Sequence, residues 1–182
     1  MKSTQQDASD ETLMLRYQRG NREAFEQLVR LHQGRVYNFI LLTVRNRTAA
    51  DELAQDVFVR IVRTATQYRH DERFVKWLFS IVRAVCEEYS ERSSNTSLSD
   101  DTEGVPPSEG DPVRASVLDV VSELPRDQRE VYLLREVANL PFVDIAALTE
   151  TPEIDVTARM RTALRRVQDA LSGHEEFSRA LR

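Results

Sequence analysis

Along the chain, Phe25, Leu28, His32, Val36, Phe39, Ile40 and Thr43 fall at the three- and four-residue steps that place side chains on one helix face. Asn46-Arg47-Thr48 interrupts the row, and Ala54, Val57, Phe58, Ile61, Ala65 and Tyr68 take it up again. Phe74, Trp77, Leu78, Ile81, Val82, Val85 and Tyr89 make a third, sharper stripe. A short helix from about Thr12 to Arg19, ended at Gly20, completes a predicted four-helix bundle. Beyond it, Val117, Leu118, Val121 and Leu124 form one stripe, and Pro125 opens a helix carrying Val131, Leu134 and Val137. A short helix Pro141 to Leu148, the turn Thr149-Glu150-Thr151-Pro152 and a helix Glu153 to Leu171 follow. In that last helix Val156, Met160, Ala163, Leu164, Val167 and Leu171 are expected to face inward. A short helix, a tight turn and a longer helix have the layout of a helix-turn-helix, although any corner between two packed helices shares it.

Between the two patterned halves lies SSNTSLSDDTEGVPPSEGDP, residues 93–112. It carries five acids, no bases, three prolines and two glycines. Such a segment has too little to bury to offset the entropy of ordering, so it reads as a flexible acidic linker. The expected fold is therefore all-α, with a helical domain over 1–92, the linker over 93–112 and a helix-turn-helix domain over 113–182.

Composition agrees: in 182 residues, 5 Gly and 6 Pro leave few turns, 41% are hydrophobic and 30% charged, and long helices are favoured over many short strands. Cys86 is the single cysteine, which excludes an internal disulfide and any site built on several thiolates. No apolar run of about 18 residues is present, and the polar start MKSTQQDASDETL does not resemble a secretory signal, so a cytoplasmic protein is expected. The formal net charge is −5. Attraction to nucleic acid must then come from local patches, while docking on a basic protein surface is favoured.

Four separate segments carry a family resemblance. Ala50-Asp51-Glu52-Leu53-Ala54-Gln55-Asp56-Val57-Phe58-Val59-Arg60, followed by Phe74-Val75-Lys76-Trp77-Leu78-Phe79-Ser80-Ile81-Val82-Arg83, resembles the second conserved region of the extracytoplasmic-function (ECF) sigma factors of the sigma-70 type. Leu124-Pro125-Arg126-Asp127-Gln128-Arg129-Glu130-Val131-Tyr132-Leu133-Leu134-Arg135 resembles the opening of their fourth region, and Leu13 to Phe25 their first helix and turn. The resemblance implies a factor that binds core RNA polymerase and directs promoter-specific transcription initiation. Its first domain would dock on the polymerase clamp and melt the downstream promoter element; its second would read the upstream element. Family members are often held inactive by an anti-sigma factor.

Particular residues bear on these roles. Asp51, Glu52, Gln55 and Asp56 make a polar, acidic patch beside the expected buried row Leu53, Val57 and Ile61. The patch is the candidate polymerase-binding surface, though early acids also simply suit a helix dipole. Candidate DNA contacts are Arg83, Arg92, Arg159, Arg161, Thr162, Arg165 and Arg166. At both DNA-facing segments the chain departs from its relatives. Arg83-Ala84 replaces an Arg-Asn pair, and Cys86-Glu87-Glu88-Tyr89-Ser90-Glu91-Arg92 replaces a basic run, so bases and acids balance from Phe74 to Arg92. The recognition-helix entry reads Glu153-Ile154-Asp155-Val156-Thr157-Ala158-Arg159, with Asp155, Ala158, Thr162, Arg165 and Asp169 expected to point outward. These acids keep open a second reading: a sigma-like interaction protein that binds polymerase or an anti-sigma factor without reading promoter DNA. No enzyme chemistry is expected. His32, His70 and His174 lack metal-ligand spacing, His32 reads as a core or boundary residue, Cys86 as a buried small apolar group, and no cofactor or metal is implied.

Overall fold

The computed structural model describes residues 8–95 and 112–172. Among the described residues it contains eight α-helices and no strand. They are α1 (Asp10–Gln18), α2 (Arg22–Val44), α3 (Arg47–Thr64), α4 (Phe74–Asn95), α5 (Pro112–Glu123), α6 (Arg126–Glu136), α7 (Phe142–Thr149) and α8 (Glu153–Ser172), with a 3-10 turn at Ala65–Gln67 after α3. The expected all-helical class, with four helices on each side of the acidic segment, is the one observed.

Several boundaries move from their sequence positions for local reasons. α1 begins earlier than Thr12, because the Ser9 hydroxyl accepts from the Thr12 amide and caps the helix. Asn46 is a cap rather than the centre of a break: its Oδ1 accepts from the Ala49 amide at 2.8 Å, so Arg47 and Thr48 are already helical. The turn before it is made by Arg45 in the left-handed region, at φ 57°. The candidate linker narrows at both ends, since Ser93, Ser94 and Asn95 finish α4 and Pro112 starts α5; residues 96–111 lie outside the described residues.

In the first unit α2, α3 and α4 pack on one another, and α1 lies against α2 and α4. Val36, Ile40, Val57, Leu78, Phe79 and Val82 are fully buried there, and Phe39 meets Phe79 edge to face at 5.3 Å between ring centres. Polar ties fix α1 in place. Gln18 Nε2 donates to the Ala65 and Tyr68 carbonyls at 2.7 and 3.0 Å, and Glu11 Oε1 accepts from the Phe74 amide at the start of α4. His32 is buried with its Nε2 2.9 Å from Asp10 Oδ2 and its ring against Phe74, a core position as expected. In the second unit α8 crosses α5, α6 and α7, and Val131, Leu134, Ile145, Val156 and Ala163 close the core.

The two units pack together. α2 meets α5 and α6, and α4 meets α7. Arg129 reaches across from α6 and donates to the Leu42 carbonyl at 3.4 Å while its other branch bonds the Leu124 carbonyl. Burial and the neighbouring Arg45 and Arg126 charges hold the Arg129 guanidinium below its usual pKa.

Candidate polymerase and promoter surfaces

The candidate polymerase-binding face lies on α3. Leu53, Val57 and Ile61 turn into the core, which leaves Asp51, Glu52 and Gln55 exposed and Asp56 half-buried at the edge, the division the spacing predicts. Among the described residues, Asp56 differs from the other three in having a partner. Arg60 Nε donates to its Oδ2 at 2.9 Å, and the two ends of the same guanidinium fork onto Glu88 of α4 at 2.6 and 2.7 Å. This fork raises the Arg60 pKa and holds the Glu88 carboxyl below its usual range, the Arg60–Glu88 hydrogen bonds being the leading cause for both. Asp56 and Glu88 thus tie α3 to α4, while Asp51, Glu52 and Gln55 remain at the surface. The exposed side of α3 continues past them with Val59 and Val62, 43% and 47% exposed. Glu52, Gln55, Val59 and Val62 follow one another at three- and four-residue steps and share one face. In the sequence the acids alone mark the first turns of this helix. The aliphatic end was legible in the same spacing once Leu53, Val57 and Ile61 were assigned inward.

The candidate DNA-facing residues divide. On α8, Arg161, Thr162, Arg165 and Arg166 are exposed, as are Asp155, Ala158 and Asp169. The Thr162 hydroxyl donates to the Ala158 carbonyl at 3.1 Å, which leaves it an acceptor. Arg159 is drawn sideways instead. Its Nε lies 3.4 Å from Asp127 Oδ2 on α6 and its Nη1 bonds Thr151 in the turn, so it braces the helix-turn-helix. Glu150, in the turn of the helix-turn-helix, takes the left-handed conformation at φ 50° that glycine favours. Glu153 and Asp155 occupy the first turn of α8, where they complement the positive end of the helix dipole. Leu164, expected inward, is 37% exposed: it lies at the edge of the stripe centred on Val156, Met160, Ala163 and Val167.

On α4, Arg92 is exposed near the helix end and donates to the Glu88 carbonyl. Arg83 is half-buried. Its side chain is 18% exposed, its Nε donates to Glu130 of α6 at 2.6 Å, and its Nη1 donates to the Leu148 carbonyl near the end of α7. Cys86, one turn on, is buried; burial, then the Glu87 and Glu130 charges, pushes its thiol up to about 12. Among the described residues no group of His, Cys, Asp and Glu is placed to hold a metal ion, and no helix is long and apolar enough to cross a membrane.

The family model described as sigma-70 region 2 matches residues 28–96, and that for sigma-70 region 4 matches 114–167. The RNA polymerase sigma factor CarQ of Myxococcus xanthus is 31% identical over 142 residues, covering 74% of this chain and 82% of the relative. The chain belongs to the ECF sigma factors of the sigma-70 type. Sigma factors are non-enzymatic initiation factors that direct RNA polymerase to promoters, and this one is a promoter-directing member. The sigma-H factor of Pseudomonas aeruginosa is 28% identical over 180 residues, covering 89% of this chain and 93% of the relative. Two solved structures share the fold at a TM-score of 0.70 and 20% identity: CnrH in complex with the cytosolic domain of CnrY, covering 92% of this chain and all of that one, and the sigma factor RpoE of Bartonella quintana with the anti-sigma factor NepR, covering 83% and 98%.

Proposed function

We propose that this sigma factor divides its work between its two helical units. Residues 1–92 dock on core polymerase and engage the melted strand, residues 113–182 read the upstream promoter element, and 93–112 join them. Docking uses Asp51, Glu52 and Gln55 with the aliphatic continuation Val59 and Val62, and Asp56 serves it indirectly by fixing Arg60. Promoter contacts come from Arg161, Thr162, Arg165 and Arg166 on α8, with Arg83 and Arg92 on α4 as the strand-facing cations and Arg159 as the brace of the reading head. The protein works in the cytoplasm, without catalysis or a cofactor, and an anti-sigma factor restrains it.

The observation that carries this reading is the exposed arginine set on α8. Acids at the helix entry oppose phosphate, but Arg161, Arg165 and Arg166 leave a local positive surface on an otherwise acidic chain. Each phosphate contact they make releases counterions and steepens the salt dependence of binding by about 0.9 in log affinity per contact. The test is footprinting of holoenzyme on the promoter of the chain's own operon. Arg161→Ala/Arg165→Ala/Arg166→Ala should lose protection of the upstream element while still co-purifying with core polymerase. Undiminished upstream protection would contradict the assignment.

A further inference from the structure

Among the large apolar residues described, Ile154 is the most exposed, at 77%. It stands in the first turn of α8, the second helix of the helix-turn-helix, where a β-branched side chain adds nothing to helix propensity. The core does not use it. Val156, Met160, Ala163 and Val167 fill the buried face of α8, and at about 100° per residue Ile154, Ala158, Arg161 and Arg165 form a row on the opposite side. The row begins with an apolar side chain, passes a small one that lets another surface come close, and ends in two cations. Its mount is firm. The Pro152 carbonyl accepts from the Asp155 and Val156 amides at 2.9 and 3.1 Å, the Thr157 hydroxyl donates to the Glu153 carbonyl at 2.9 Å, and Arg159 ties this end of α8 to Asp127 and Thr151.

A single exposed apolar side chain is ordinary on a protein surface; this one stands where a helix of this kind presents its first residues to base edges in the major groove. Glu153 and Asp155 flank it as exposed acids and repel phosphate, so the DNA backbone is not what Ile154 meets. The apolar group that the major groove displays is the C5-methyl of thymine. Arg161 and Arg165 follow about 10 and 16 Å further along the helix axis, on the scale of the roughly 12 Å width of the groove. The cations then reach phosphates at the groove edge while Ile154 reaches its floor. We propose that Ile154 is a specificity-determining residue of this factor, packing on the C5-methyl of a thymine in the upstream promoter element. The assignment rests on α8 reading that element, and the experiment separates the two.

Holoenzyme is titrated against duplexes of the promoter of the chain's own operon in which each thymine of the upstream element, on either strand, is replaced in turn by deoxyuridine. The exchange keeps base pairing and removes only the methyl group. At one position wild-type holoenzyme should bind the deoxyuridine duplex about fourfold more weakly, the worth of one buried methyl group. Ile154→Ala should bind the two duplexes equally there, and Ile154→Val should keep most of the difference. Leu31→Ala, which removes a 56% exposed aliphatic side chain from α2, should keep all of it. Far-UV circular dichroism and co-purification with core polymerase verify that each variant is folded. A wild type indifferent to every methyl group, or a methyl effect that persists in Ile154→Ala, would overturn the assignment and leave this apolar tip to a protein partner. In both cases continued footprint protection of the upstream element keeps the promoter role of α8. A wild-type holoenzyme that gives no such protection overturns that role and the reading of Ile154 with it.

Discussion

Charge reversal at Asp51 and Glu52 probes the proposed docking face with the least disturbance to the fold. Both residues are exposed on α3, whereas Asp56 is tied to Arg60 and through it to Glu88. Replacing Asp56 would mix a docking effect with a loosened contact between α3 and α4. In Asp51→Lys/Glu52→Lys each site loses a surface attraction of about 0.5 kcal/mol and gains a repulsion of similar size, as expected of exposed pairs. Two sites therefore cost about 2 kcal/mol, or roughly a 30-fold weaker association with core polymerase. The effect should shrink as salt is raised, because the Debye length falls from about 10 Å at 0.1 M to about 3 Å at 1 M. The assay is a titration of fluorescently labelled factor with core polymerase at several salt concentrations, with circular dichroism to verify unchanged helicity. Equal affinity of variant and wild type at low salt would refute the electrostatic part of the docking face. A loss that does not respond to salt would assign the effect to packing instead.

Three further outcomes follow from the core and the turns. Phe79→Ala empties a fully buried ring site against Phe39 and should cost about 3–5 kcal/mol, lowering the thermal midpoint by roughly 10 °C, read by a melt of the full chain. Glu150→Gly relieves a left-handed side-chain residue at the cost of a more flexible unfolded chain, so stability should be unchanged or up to about 1 kcal/mol higher in urea titration; a clear loss would show that the Glu150 side chain is needed. The folded Cys86 thiol holds its proton more tightly than an unfolded one, so its contribution to stability is complete below pH 9.0 and is lost as pH rises toward about 12. Cys86→Ala should flatten that alkaline decline in denaturation curves, and the wild-type thiol should resist a disulfide reagent at pH 8 until denaturant is added.

Local periodicity made most of the architecture legible. It placed Phe74, Leu78, Val82 and Val85 inward on α4 and separated the exposed acids of α3 from Leu53, Val57 and Ile61. It missed Phe79, because α4 is covered by α1, α2, α3 and α7 and its buried face is wider than one stripe. It chose Thr43 where Leu42 is buried. The Thr43 hydroxyl is satisfied by the Phe39 carbonyl and stays exposed, while the Leu42 end of α2 lies against α5 and α6. Family resemblance supplied the roles of the surfaces, which no spacing encodes. Neither source could place Arg83, whose partner Glu130 lies 47 residues away and is brought to it only by the packing of one unit on the other.

In vitro transcription with purified core polymerase on the promoter of the chain's own operon tests the central claim most directly. A promoter-directing factor gives a discrete transcript that depends on the added protein, starts at one site and disappears when the upstream element is scrambled. Binding to core polymerase with no such transcript would mean that the acidic residues Asp155, Glu87 and Glu88 mark a chain that has kept the polymerase surface and lost promoter reading.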